Sequence, residues 1–174
     1  MGGIDGWENF YVIVGSSAAA LTGLMFVVIS LSSEVRYSGE EAVSAFSSPT
    51  VSHFCFVLLI ATIVTIPRHT PSSLGICLGI AGLAGLGYTI MAVMRIARQK
   101  IYTPVMEDWL WHAIFPLLAY AGVVVGTLTL WRRPGPLLYV IAACTLLLLY
   151  TGIHNSWDAA MYLVLRKQTP RPDS

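Results

Sequence analysis

Residues 137–158, which read LLYVIAACTLLLLYTGIHNSWD, show how the chain is organised. The run from Leu137 to Ile153 is apolar, which is typical of the core of a membrane-spanning helix. Five polar or amphipathic residues, HNSWD, follow it directly. On a helix His154 and Asp158 lie one turn apart on the same face. An imidazole and a carboxylate at the edge of a membrane core predict a functional site.

The composition predicts an integral membrane protein. Of the 174 residues, 56% are hydrophobic and 11% are charged, whereas about 25% are charged in ordinary soluble domains. The lysines and arginines are scattered and form no basic patch with interleaved aromatic residues, so we expect no nucleic-acid partner. The three cysteines lie in separate apolar runs without Cys-x-x-Cys spacing, which argues against a disulfide framework or a thiolate zinc site.

The apolar segments predict an all-α membrane protein, a bundle of five transmembrane helices in one domain over residues 1–166. A short disordered tail is predicted for residues 167–174. Ser38-Gly39-Glu40-Glu41 has the form of a capping box and predicts a separate interfacial helix, after which Pro49 begins a new one. The predicted spans are 10–31, 49–66, 72–96, 108–131 and 137–158, the last with an extension to 165.

The positive charges predict the orientation of the bundle. Five spans place the two termini on opposite sides, and cytoplasmic segments carry an excess of Lys and Arg. With the N-terminus outside, seven basic residues fall in cytoplasmic segments and three outside: Arg36, Arg95, Arg98, Lys100, Arg166, Lys167 and Arg171 against Arg68, Arg132 and Arg133. We therefore expect an outside N-terminus and a cytoplasmic C-terminus.

Small residues recur in the first and third spans. Gly15, Ala19 and Gly23 occupy every fourth position, and the third span contains Gly75 and Gly79. Small residues let helices approach closely where lipid supplies no hydrophobic driving force. The pattern predicts tight packing in the bundle or at an oligomer interface, so we expect a homo-oligomer or a subunit of a larger membrane complex.

Alternation of the spans predicts that polar residues from three helices meet near the cytoplasmic face. His53 lies about one turn inside the second span, Asp108 and His112 lie four residues apart in the fourth, and the fifth ends in HNSWD. Pro116 cannot donate a backbone hydrogen bond, so we expect it to release the carbonyl of His112. The predicted site comprises His53, Asp108, His112, His154, Asn155, Trp157 and Asp158.

These residue types suit several functions. Imidazole and carboxylate are common ligands of transition metals, so His53, His112, His154 and Asp158 are candidate metal ligands. The same set could bind a haem or quinone head group, or relay protons. It could also merely anchor the helices, in an accessory or regulatory scaffold subunit without its own ligand. The chain has neither a His-Glu-x-x-His nor a Gly-x-Ser-x-Gly motif, so an enzyme is not favoured.

Three stretches form a recognisable set: Trp7-Glu8-Asn9-Phe10 with Gly15, Ala18-Ala19, Leu21, Gly23-Leu24 and Phe26-Val27; Glu107-Asp108-Trp109; and Gly152-Ile153-His154-Asn155-x-Trp157-Asp158. Together they resemble a group of small bacterial integral membrane proteins of uncharacterised function. The resemblance implies a multi-pass protein of the bacterial inner membrane, in contact with the lipid bilayer. It implies no particular activity.

Overall fold

The computed structural model describes residues 6–33, 40–98, 106–129 and 134–168. Within these ranges the chain forms five helices and no strands. In α4, over residues 106–129, a π-helical turn separates two α-helical parts. The bounds are Glu8–Ser33 for α1, Glu40–Thr65 for α2, Pro71–Arg98 for α3, Met106–Trp109, Leu110–Ile114 and Phe115–Thr129 for the three parts of α4, and Pro134–Gln168 for α5.

Four helices in the described ranges are long and apolar enough to cross a membrane. The helix α2 contributes a shorter apolar stretch, Thr50–Thr65. The prediction of an all-helical chain is therefore confirmed for the described residues, and four of the five predicted spans correspond to helices that could cross a membrane. Their apolar segments are Glu8–Ser30, Pro71–Arg95, Met106–Leu128 and Pro136–Met161.

The helix α2 begins earlier than the sequence pattern predicts. We expected a short interfacial helix and then a new start at Pro49, but one continuous helix runs from Glu40 to Thr65. A proline inside a helix removes one backbone donor, and neighbouring helices in a membrane bundle can compensate for that loss. The predicted capping residues Ser38 and Gly39 lie outside the described residues.

The helix α5 is longer than predicted at both ends. Its 35 residues correspond to about 52 Å at a rise of 1.5 Å per residue. This length exceeds the hydrocarbon core of a bilayer, which is about 30 Å thick. Residues 167 and 168, which we assigned to a disordered tail, are helical, and the rest of that segment lies outside the described residues.

The turn between α2 and α3 is stabilised by reciprocal capping. Ser73 N donates to Thr70 Oγ1 at 3.1 Å, and Thr70 N donates to Ser73 Oγ at 3.1 Å. Pro71 occupies the first helical position, where a missing N–H costs nothing. His69 is half-buried and places Nδ1 2.7 Å from Ser73 Oγ.

The helices α2 and α5 form the centre of the bundle. Each packs against the other and against α1, while α3 packs on α2 and α4 packs on α5. Glycines provide the closest approaches, and their order shows that α3 and α4 run antiparallel, as do α4 and α5. The pairs are Gly79 with Thr127, Gly82 with Val123, Gly85 with Tyr120, Gly122 with Cys144 and Gly126 with Ile141.

The small residues of α1 do not all serve one purpose. A Cβ at Gly15 would lie 2.9 Å from Ala61 Cβ, so Gly15 packs inside the bundle. In α3, Gly75 is buried and Gly79 approaches Thr127, so both pack inside as well. Ala19 and Gly23 are exposed, and nothing lies within 4 Å of a Cβ built at Gly23.

We expect Gly85→Ala to destabilise the fold by about 1–3 kcal/mol, because the added methyl group would overlap the ring of Tyr120. The ring is fully buried and has no room to move away. Unfolding of the detergent-solubilised protein by denaturant measures the effect. Gly87→Ala is the matched control, since nothing lies within 4 Å of its Cβ. Equal stability of the two variants would contradict the packing described here.

Candidate functional site

His154 lies between two carboxylates at one end of the bundle. Its Nε2 is 3.7 Å from Glu107 Oε1 of α4, and its Nδ1 is 3.1 Å from Asp158 Oδ2, one turn later in α5. The Nδ1 contact is at ion-pair distance but lacks hydrogen-bond alignment. Only a protonated imidazole presents a donor on each nitrogen. Proton uptake at His154 therefore offers a donor to both carboxylates at once.

An indole ring supports His154 from one side. The rings of Trp111 and His154 stack with centroids 3.9 Å apart and an interplanar angle of 8°. An imidazolium over the face of an indole gains a favourable cation–π interaction. The stack also holds the imidazole plane in place, so that its two nitrogens keep facing Glu107 and Asp158.

The two carboxylates of this cluster are exposed on the surface of the bundle. The side chains of Glu107 and Asp158 are 70% and 53% exposed, whereas that of His154 is 26% exposed. Ion pairs with this much exposure contribute little to stability. These contacts therefore do little to hold the fold together.

His112 lies one helical turn from the carboxylates, with a defined tautomer. Its Nδ1 is 3.2 Å from the backbone oxygen of Asp108. A carbonyl oxygen only accepts, so Nδ1 carries the hydrogen, and Nε2 is an acceptor in the neutral ring. His112 is within electrostatic range of His154 and Asp158. The helical spacing predicted an imidazole–carboxylate contact with Asp108, whereas this contact is made by the Asp108 backbone.

His53 lies deepest of the three histidines in the site. It is 2% exposed, and its Nδ1 is 3.1 Å from the hydroxyl of Tyr120, which is fully buried. His112 is within electrostatic range of it. The hydroxyl can both donate and accept, so the pair accommodates either tautomer of His53. Of the three histidines, His53 is thus buried, whereas His112 and His154 are half-buried.

The π-helical turn supplies two of these side chains. Within Leu110–Ile114 it contains Trp111 and His112, and the Phe115 N–H bonds to the Leu110 carbonyl, five residues back. Such turns are frequent at functional sites. We expected Pro116 to interrupt a single hydrogen bond, but the helix changes its winding over the whole turn before the proline and then continues to Thr129.

Asn155 and Trp157 occupy opposite environments, although we assigned both to the site. Asn155 is 2% exposed, and neither its Nδ2 nor its Oδ1 has a hydrogen-bond partner. Trp157 is 68% exposed and points away from the bundle. An exposed tryptophan near the end of a membrane helix is typical of an interfacial anchor.

The predicted metal set is not assembled. Among the residues described, no three His, Cys, Asp or Glu side chains are placed to hold a metal ion. The physical reason is that His53 Nδ1 faces Tyr120 and His112 Nδ1 faces the backbone of its own helix. His154 meets its two carboxylates separately, one on each nitrogen.

Three residues of the site were missing from the sequence prediction: Glu107, Trp111 and Tyr120. Glu107 and Trp111 adjoin the predicted Asp108 and His112, but helical periodicity alone did not show which of these neighbours faces α5. The sequence did contain a signal for Tyr120. A buried tyrosine hydroxyl in an apolar span usually has a polar partner, so this residue could have been predicted to join the site.

Comparison with known proteins assigns no family. No family model, no curated protein and no solved structure matches this chain. The chemistry of the site therefore rests on its own geometry.

We expect Tyr120→Phe to destabilise the fold by about 1–3 kcal/mol, because it leaves His53 Nδ1 buried without its partner. The double variant His53→Leu/Tyr120→Phe removes that unpaired atom and should recover part of the loss. Denaturant unfolding in detergent measures both. Tyr139→Phe is the control, since Tyr139 is 70% exposed. Strictly additive effects of the two substitutions would show that the contact is not energetically coupled.

Proposed function

We propose that this chain is a multi-pass protein of the bacterial inner membrane that takes up protons at His154 and relays them inward. The relay runs through His112 to the buried His53–Tyr120 pair. The observation that carries the proposal is the placement of His154 between the exposed carboxylates of Glu107 and Asp158, stacked on Trp111. Chains of His and Asp are common proton relays in membrane proteins.

Uptake begins at the water-exposed carboxylates. Glu107 and Asp158 attract protons from the surrounding water and lie next to both nitrogens of His154. Imidazole is the side chain that ordinarily changes charge between about pH 5 and 8. A proton that binds His154 meets a carboxylate on each side and an indole face beneath it, which stabilises the charge.

His112 is the next group in the proposed series. Its Nδ1 donates to the Asp108 carbonyl, which fixes the position of the ring. His53 and Tyr120 then form the inner end of the series.

We further propose the complete topology that the charges favour. In it, five helices cross the membrane with the N-terminus outside, so that the His154 cluster lies near the cytoplasmic face. The central position of α2, packed against α1, α3 and α5, supports a crossing by this helix despite its shorter apolar stretch.

The fluorescence of Trp111 tests proton uptake. A protonated imidazole quenches a stacked indole, so we expect emission to fall on acidification from about pH 8 to about pH 5. Subtracting the signal of Trp111→Phe isolates this indole. Glu107→Gln removes the carboxylate beside His154 Nε2 and should reduce the quenching of Trp111. Glu8→Gln, at the opposite end of the bundle, is the control. A pH-independent difference signal would refute the proposal.

A second candidate is an accessory subunit that assembles through α1. The exposed Ala19 and Gly23 form a small-residue surface on the outside of α1, where a further membrane helix could pack closely. This role is compatible with the proton relay and does not require it.

We expect Gly23→Leu to reduce the mass of the detergent-solubilised complex, because the new side chain would block close approach of a second helix. Gly87→Leu is the matched control, since both glycines are exposed and have open space at Cβ. Gly15→Leu is unsuitable here, because it would disturb packing against Ala61 inside the bundle. An unchanged mass for Gly23→Leu would argue against assembly through this face.

A further inference from the structure

Three buried polar atoms without hydrogen-bond partners lie on two consecutive residues of α5. They are Nδ1 of His154 and both amide atoms of Asn155. The Asn155 side chain is 2% exposed. A buried primary amide that has lost water and gained no partner is costly, and native proteins rarely leave one unsatisfied.

Three buried threonines in the described part of the bundle satisfy their own hydroxyl groups. Thr89, Thr145 and Thr151 each donate to the carbonyl four residues earlier in their own helix, at 2.7–2.9 Å. Asn155 makes no such bond. Its amide offers two donors and one acceptor group side by side, which calls for a partner that both accepts and donates.

Asn155 lies at the level of the inner histidines. The ring of Phe54, next to His53, packs directly on Gly152. Residues three apart share a helix face, so Asn155 lies on the same face as Gly152, about 4.5 Å further along the axis. Trp111 stacks on His154, so His112, the next residue in α4, lies at about the same depth as this turn of α5.

We propose that Asn155 anchors a buried water site that connects His154 and His112 with the His53–Tyr120 pair. Water is the smallest molecule that donates and accepts at once, and a buried water typically makes about three hydrogen bonds. Both Asn155 amide atoms are available to it, whereas Nδ1 of His154 lies 3.1 Å from the Asp158 carboxylate. Asn155 is then a positioning residue for inward transfer, an inference that rests on the proposed relay.

Exchange of the His53 ring hydrogen with D2O, followed by NMR on protein with labelled histidine, tests this site. Asn155→Leu has a similar volume without polar atoms, and we expect it to slow the exchange at His53 by about tenfold or more. Asn155→Ser keeps a hydroxyl and leaves room for water, so its exchange should stay within about threefold of the natural protein. Exchange at His69, in the turn between α2 and α3, should not change in either variant.

The two proposals fail in different ways. Quenching of Trp111 on acidification should persist in both Asn155 variants, because uptake at His154 does not need the amide. Wild-type exchange at His53 in Asn155→Leu would overturn the water site and leave the uptake proposal standing. If acidification does not quench Trp111 in the natural protein, the uptake proposal is refuted, whatever the result for the Asn155 variants. If Asn155→Leu fails to fold, Asn155→Met provides the same apolar replacement with a more adaptable side chain.

Discussion

Close contact between glycines and larger side chains holds this bundle together. In lipid, an apolar side chain gains little by leaving the bilayer for a neighbouring helix, so helices associate through tight packing. The ring of Tyr120 rests on Gly85, and the ring of Phe54 rests on Gly152. These contacts fix how far each helix is shifted along its neighbour. The polar residues beside them, including His53 and Asn155, take their depth from that packing.

The sequence was sufficient to predict the four long apolar helices and the helical spacing of His154 and Asp158, but not the continuous helix α2. Apolar length locates helices, and a separation of four residues places two side chains on one face, so neither inference needs tertiary information. The sequence did not predict the partner of His154 Nε2, because Glu107 belongs to another helix. Its approach depends on the rotation of α4 about its own axis, which a local pattern does not encode. The outward direction of Trp157 was missed for the same reason.

The polar pairs differ in their contribution to stability along the bundle. The outer pairs of His154 are exposed, so each contributes little. The inner pair of His53 and Tyr120 is buried, where loss of one partner is costly. Loss of an outer pair should therefore disturb the packing less than loss of the inner pair.

The π-helical turn in α4 amounts to one additional residue within an α-helix. Side chains on its two sides are offset by about 100° from the directions they would have in a regular helix. Phe115–Thr129 packs on α3, while Met106–Trp109 carries Glu107 toward His154. If this turn were one residue shorter, Phe115–Thr129 would still pack on α3, but a side chain other than Glu107 would face α5. Separate parts of α4 thus make the contact with α3 and the contact with His154. The number of residues in the π-helical turn between them decides whether both contacts form in the same molecule.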